Sequence, residues 1–428
     1  MIKDLAVLRE RAFRTLFAAR TVSLLGDAMA PVALAFAVLA LPNGTATTLG
    51  IVIAARIVTQ VAFLLLGGMI ADRLPRLRVM VVADLIAFVS QGGVAALFIS
   101  GSSAIPLIAA LAAVSGGATA LFRPAARAVV PQVVDEESLQ PANALLRLSM
   151  NAGSVLGAAM AGVLVALVGP GWALGVDALT FLASAILLSA VRTRHTVAAA
   201  SGRPLTQLRE GWHEFTSRTW VWAMVAQLAF ANVCIAGGIV VLGPVVAKDH
   251  LGGAPAWALA VAAQSAGLVV GSLVAIRIRP RHPVRVAALM TIGFAPPLLA
   301  LGTYVPLYAV VAGMFVIGFC IDIYEVLFQT ALQRHVPPQA LARVMSYDSF
   351  GSYALIPVGL VVAGPISALV GVRATLVGAA ALVLVSGALV LLSTSVRNLR
   401  GEPDASQTDV SDDSSTLVRS PTTSGSDH

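Results

Sequence analysis

Gly67-Gly68-Met69-Ile70-Ala71-Asp72-Arg73-Leu74-Pro75-Arg76-Leu77-Arg78 joins two apolar runs, each long enough to cross a bilayer, and sets Arg73, Arg76 and Arg78 beside Asp72. A short basic loop between two such runs is expected on the cytoplasmic side. That placement orients the spans on either side of it, and alternation orients the rest.

Composition agrees with a membrane chain. Hydrophobic residues make up 58%, charged residues 11%, and the mean hydropathy is +0.88, whereas a soluble domain carries about 25% charge. The net charge of +7 would suggest a nucleic-acid partner if the basic residues formed one patch. They fall instead in short clusters between apolar runs, a topology signal, so no nucleic acid is expected. Of the 28 basic residues only Lys3 and Lys248 are lysines. Cys234 and Cys320 lie inside apolar runs and read as small core residues.

Apolar runs fall at roughly 15–41, 48–70, 79–100, 104–123, 148–169 and 172–191, then at 219–247, 255–276, 284–302, 305–328, 347–369 and 373–394. Each reaches the ~20 residues needed to cross ~30 Å of hydrocarbon. The first is too long for a signal-peptide core, so no cleavable leader is expected. Lys248 and Arg373 fall in loops assigned outside, Arg20 and Arg56 within spans, and the other 24 of the 28 basic residues in segments assigned inside. Both termini are therefore expected in the cytoplasm.

The expected organisation is an N-terminal six-helix bundle over 1–194, a linker over 195–218, a second bundle over 219–396 and a disordered tail over 397–428. In the linker Leu205, Leu208, Trp212 and Phe215 share a helical face, which suits a helix on the inner leaflet or a solvated linker helix. A faint repeat supports two halves: the basic stretch after Gly68 has a counterpart running from Gly271 to Arg281, without the aspartate.

Charged groups inside spans mark the candidate site, since they are costly in lipid and turn to a cavity or a partner. Asp27 and Arg56 lie about midway along the first and second spans and reach a similar depth from opposite sides. An Asp27–Arg56 pair is expected, either as a structural bridge or as a gated proton or substrate site. Ser23 and Pro31 share the Asp27 face. In the tenth span Gly318, Asp322, Glu325 and Gln329 form one polar stripe. Two carboxylates one turn apart repel when both are ionised, which favours a proton held at Asp322 or Glu325. Arg20 and Asp84 are expected to form a structural ion pair nearer the inner surface. Asp177 reads as cavity-lining or snorkelling, and Gln227, Asn232 and Gln264 as either cross-helix or substrate contacts.

Nothing suits enzymatic chemistry. No GxxxxGK[ST] loop is present, and all six histidines lie in loops, linkers or ends without HExxH. No cofactor or metal is expected.

Twelve spans in a 6+6 division, with the loop above, resemble the major facilitator superfamily. Gly68, Asp72, Arg73 and Arg76 match its G-x-x-x-D-R-x-G-R pattern, Arg78 completes the basic end, and Pro75 stands where a glycine is usual. Leu25-Gly26-Asp27, Phe122-Arg123-Pro124-Ala125, Pro141-Ala142-Asn143-Ala144, Leu332-Gln333-Arg334-His335-Val336-Pro337 and Arg343-Val344-Met345-Ser346 resemble the drug/macrolide-efflux and siderophore-exporter branch.

The resemblance implies an all-α fold of two pseudo-symmetric six-helix bundles, working by alternating access as a plasma-membrane monomer. Asp72 would brace a cytoplasmic gate against the start of the eleventh span, near Met345 to Asp348. The arginine that antiporters of the family carry in the fourth span is absent, because Ala112 precedes Gly116; Arg56 is the candidate to replace it. The expected function is proton-coupled export of a small hydrophobic or amphipathic compound, with protons and membrane lipid as its other partners. Proton-coupled uptake and a non-transporting membrane sensor or assembly protein are the alternatives.

Overall fold

The computed structural model describes residues 4–135, 138–191, 212–275 and 277–400, with the side chains of 4–6, 64–73, 127–128, 140, 144, 338–339 and 342–343 excluded. Residues 195–211 of the linker and 401–428 of the tail lie outside the described residues, as do the side chains of Asp72 and Arg73 and the surroundings of Gly68.

Twelve helices are long and apolar enough to span a membrane. In the first half they are α1 (Arg11–Leu39), α2 (Ala46–Arg73), α3 (Arg76–Ile99), α4 (Ile105–Ala128), α5 (Leu139–Val168) and α6 (Pro170–Ser189). In the second half they are α7 (Thr219–Leu251), α8 (Ala254–Ala275), α9 (Pro283–Gly302), α10 (Leu307–His335), α11 (Val344–Val370) and α12 (Val372–Leu392). No strand occurs among the described residues. Helix is what an apolar chain must adopt in lipid, where every backbone N–H needs an internal partner. The outward faces carry exposed aliphatics such as Val89, Leu167, Leu369 and Leu392, as a bilayer-facing surface requires.

Local sequence sets the helix ends. Thr45 and Thr48 cap α2 reciprocally, the Thr45 N–H donating to Thr48 Oγ1 (2.8 Å) and the Thr48 N–H to Thr45 Oγ1 (3.2 Å). Pro75, which departs from the family pattern, sits immediately before α3 with φ −56°, so its ring presets the turn into the helix. In α7 the stretches Ala236–Leu242 and Ala247–Leu251 are π-helical on either side of Pro244, and α9 tightens to 3-10 geometry at Thr291–Phe294 ahead of Pro296 and Pro297. A proline lacks the N–H that the regular ladder needs, and the ladder re-registers around it.

The two halves repeat one plan. Gly169 (φ 91°) makes the turn between α5 and α6, and Gly371 (φ 87°) the turn between α11 and α12. Gly116 of α4 lies against the backbone carbonyl of Arg56 in α2, and Gly318 of α10 against that of Gln264 in α8, both too close for a β-carbon. The same interval along the chain separates both pairs of glycines.

Among the described residues, the close backbone contacts between the halves gather at one end. At the end bearing the turns after α1 and α7, Gly50 of α2 abuts the Leu360 carbonyl of α11, Gly364 of α11 abuts Thr47, and Gly162 of α5 abuts Ala258. Lys248 Nζ donates to the Leu39 carbonyl across the same seam. A buried apolar cluster there draws Met29, Val32, Phe36 and Ala54 together with Ile239, Leu242, Trp257 and Leu360. At the opposite end, which carries residues 4–10 and 393–400, the cores are separate. One cluster contains only first-half residues such as Phe13, Leu16, Met80 and Leu188; the other contains only residues from Phe215 onward, among them Trp220, Tyr324 and Leu332. Among the described residues the cores are thus joined at the turn end and parted at the terminal end.

Of the linker face, Leu205 and Leu208 lie outside the described residues, and Trp212 is exposed. Phe215 is buried, and the two rings pack on each other and on Tyr347 at the start of α11, with centroids 5.6–5.9 Å apart. At Phe215 the aromatic contact is with the second half.

Candidate functional site

Asp27 and Arg56 meet. Arg56 Nη2 donates to Asp27 Oδ1 at 2.7 Å, with the side chains 16% and 32% exposed respectively. The pair joins α1 to α2 midway along both helices, and neither side chain is fully buried. Its partial exposure allows an aqueous ligand or a proton to reach the carboxylate without first breaking the fold. Removing either partner alone would strand a charge.

Ser23, expected on an open face, is buried, whereas Pro31 is exposed. Gly318, also expected on a water-lined stripe, is packed against α8. Sharing a helix face with a charged residue does not make a small residue accessible, because small residues are the ones that let helices approach.

The expected Arg20–Asp84 ion pair is not among those formed between the described residues. Helix α6 packs against both α1 and α3, and Asp84, 2% exposed, faces Ser184 of α6 and Asp27. Asp177 is neither cavity-lining nor snorkelling. It is fully buried, and its Oδ2 accepts a hydrogen bond from Gln91 Nε2 at 2.7 Å. The sequence reading passed over Gln91, although a polar residue midway along an adjacent span was the available signal.

In the second half the stripe on α10 joins α11. Gln329 Nε2 donates to Glu325 Oε1 (3.1 Å) and to Asp348 Oδ2 (3.3 Å), and Ser352 Oγ donates to Asp348 Oδ1 (3.3 Å). Asp348 was read only as the start of a helix; the structure makes it part of this network. Asp322 faces Ser272 of α8 and, from the other half, Arg147 of α5. Asn232 resolves as a cross-helix contact, its Nδ2 donating to the Ser352 carbonyl at 2.9 Å. Arg78 is exposed and Arg76 half-buried at the start of α3. Among the described residues no group of three or more His, Cys, Asp or Glu side chains could hold a metal ion.

The arrangement is a parted pair of bundles with an accessible ion pair on one side and a carboxylate–amide network on the other. It suits binding and release of a small solute rather than bond chemistry, and known proteins agree with that reading. A family model described as Major Facilitator Superfamily matches residues 16–353 and 228–423. The multidrug efflux pump Tap of Mycolicibacterium fortuitum is 27% identical over 354 residues, covering 78% of this chain and 84% of that protein. The enterobactin exporter EntS of Citrobacter koseri is 24% identical over 362 residues, covering 84% and 86%. The crystal structure of the nucleoside transporter NupG superimposes with a TM-score of 0.71 at 11% identity, covering 89% of this chain and 98% of that one. Twelve spanning helices and a family match running through both halves place the chain in the Major Facilitator Superfamily, as a multi-pass membrane transporter and not an enzyme.

Proposed function

We propose that this transporter exports a small hydrophobic or amphipathic compound across the plasma membrane in exchange for protons. The observation that carries the proposal is the Asp27–Arg56 pair, held at 2.7 Å within the membrane-spanning region and partly exposed. A carboxylate that can trade its arginine for a proton or a cationic group is the element an exchanger needs. The names of the relatives, a multidrug efflux pump and an enterobactin exporter, favour the outward direction.

In this reading both termini are cytoplasmic, as the basic loops require, so the terminal-end parting faces the cytoplasm. Asp27 and Arg56 form the first-half site, and Asp322 and Glu325 contribute from the second half. Gly68, Asp72, Arg73, Arg76 and Arg78 close the cytoplasmic side in the opposite state, with Asp72 toward the start of α11.

The test is a compound-susceptibility panel on cells with and without the gene, followed by accumulation of each responding compound with and without an uncoupler. Export predicts lower accumulation in gene-bearing cells and loss of that difference on uncoupling. Higher accumulation in gene-bearing cells would establish uptake and overturn the direction proposed.

A further inference from the structure

We propose that Asp177 is a second proton-binding carboxyl behind the Asp27–Arg56 pair, holding a proton while Asp27 is ionised and giving it up when Arg56 turns away from Asp27. The proposal rests on the proton-coupled reading above and adds a site to it.

The geometry is that of a carboxyl built into the first bundle. Asp177 of α6 has no exposed surface, and of its two oxygens only Oδ2 has a hydrogen-bond donor, the Gln91 amide of α3. Oδ1 has none; together with the Thr180 hydroxyl it packs against Gly26, 2.6 Å from where a β-carbon would stand (Thr180 Oγ1 is closer still), a closeness open only because that residue is glycine. Gly26 is the immediate neighbour of Asp27. The oxygen without a donor therefore abuts the backbone beside the ion pair. A second buried polar atom without a hydrogen-bond partner, Ser184 Oγ, lies further along α6 and faces Asp84.

The charged groups facing Asp177 are Asp27 from α1 and Arg56 from α2. From α3 it meets neutral Gln91, while Asp84 of the same helix faces Asp27. Helix α5 directs Arg147 toward Asp322 instead. The cation that interacts with Asp177 is Arg56, and it is engaged by Asp27. An ionised carboxylate with a single neutral donor in a dry helix interface is costly; a carboxylic acid there is not. When Arg56 turns away from Asp27, the proton held by Asp177 passes to Asp27 and the guanidinium is available to Asp177. The exchange is balanced: the O–H bond broken at Asp177 supplies the proton for the one formed at Asp27, and Arg56 remains protonated and pairs with whichever carboxylate is ionised.

The test is infrared difference spectroscopy on the full-length chain in lipid nanodiscs at neutral pH, with the proton as the only ligand. The wild type is expected to show the carbonyl stretch of a protonated carboxylic acid. Asp177→Asn, nearly isosteric with the neutral acid, should lose that band, while Asp84→Asn should keep it. Gln91→Leu removes the donor to Oδ2 and leaves the acid in place, so the band should move to higher frequency; this variant serves if Asp177→Asn does not fold. Absence of the band from the wild type, its persistence in Asp177→Asn or an unmoved band in Gln91→Leu would overturn the assignment. These outcomes do not depend on transport. A band lost in Asp177→Asn beside a silent susceptibility panel would count against export alone.

Discussion

Gly50→Val tests whether the seam at the turn end is one of two alternating closures. Gly50 lies against the Leu360 carbonyl with no room for a β-carbon, and Gly364 repeats the contact against Thr47. Backbone lines both sides, so the added side chain cannot be accommodated by rotating a neighbour. Overpacking of this kind costs about 1–3 kcal/mol. The strain exists only while α2 and α11 touch at this end, so the full cost enters the equilibrium between the two closures. A bias of about 1–3 kcal/mol is a shift of roughly 5- to 150-fold in their ratio.

Spin labels on Asn43→Cys and Leu369→Cys, both exposed and on the same end, with Cys234 and Cys320 replaced by Ala, would read the ratio by pulsed electron resonance. The long-distance population should grow in Gly50→Val and grow less in Gly50→Ala. Superimposable distance distributions for all three proteins would refute the reasoning, since the seam would then have somewhere else to absorb the methyl groups.

Asp27→Asn or Arg56→Ala should abolish transport while the protein still reaches the membrane; surface biotinylation with uptake or efflux assays checks both halves of that statement, and wild-type transport from both variants would remove the pair from the mechanism. Exchanging the partners, Asp27→Arg with Arg56→Asp, should recover thermal stability without recovering transport. Lys248→Met removes the hydrogen bond to the Leu39 carbonyl and should weaken the turn-end closure by about 0.5–1.5 kcal/mol, seen as faster labelling of a cysteine placed along the seam. Phe215→Ala should cost about 3 kcal/mol by emptying a buried aromatic site, lowering the apparent unfolding temperature in a detergent thermostability assay and leaving the Asp27 site intact.

Much of this was legible in the chain because membrane insertion leaves few choices. Apolar length sets the spans, and depth arithmetic brought Asp27 and Arg56 to one level, where the structure joins them. Lateral position was not legible. Arg20 and Asp84 seemed matched in depth, but α6 packs between their helices, and Asp84 turns to Ser184 instead. Asp177 and Gln91 became partners for the same reason, since α3 and α6 lie side by side. Ser23 and Gly318 failed as markers of an open face because their small size suits them equally to helix contact. Phe215 found a protein surface before it found lipid, and nothing in its own periodicity separates the two.

The unequal distribution of buried clusters has a consequence for how the protein is made. Each half completes a core of its own at the terminal end, drawing on no residue of the other. The first half can therefore consolidate at the membrane while the second is still being synthesised, as sequential domain folding allows. The shared seam, by contrast, is not complete until α11 has been inserted. Interrupting the chain between residues 194 and 212 would leave the described members of each of these two cores on one polypeptide, so two polypeptides expressed together should reassemble a working carrier through the seam.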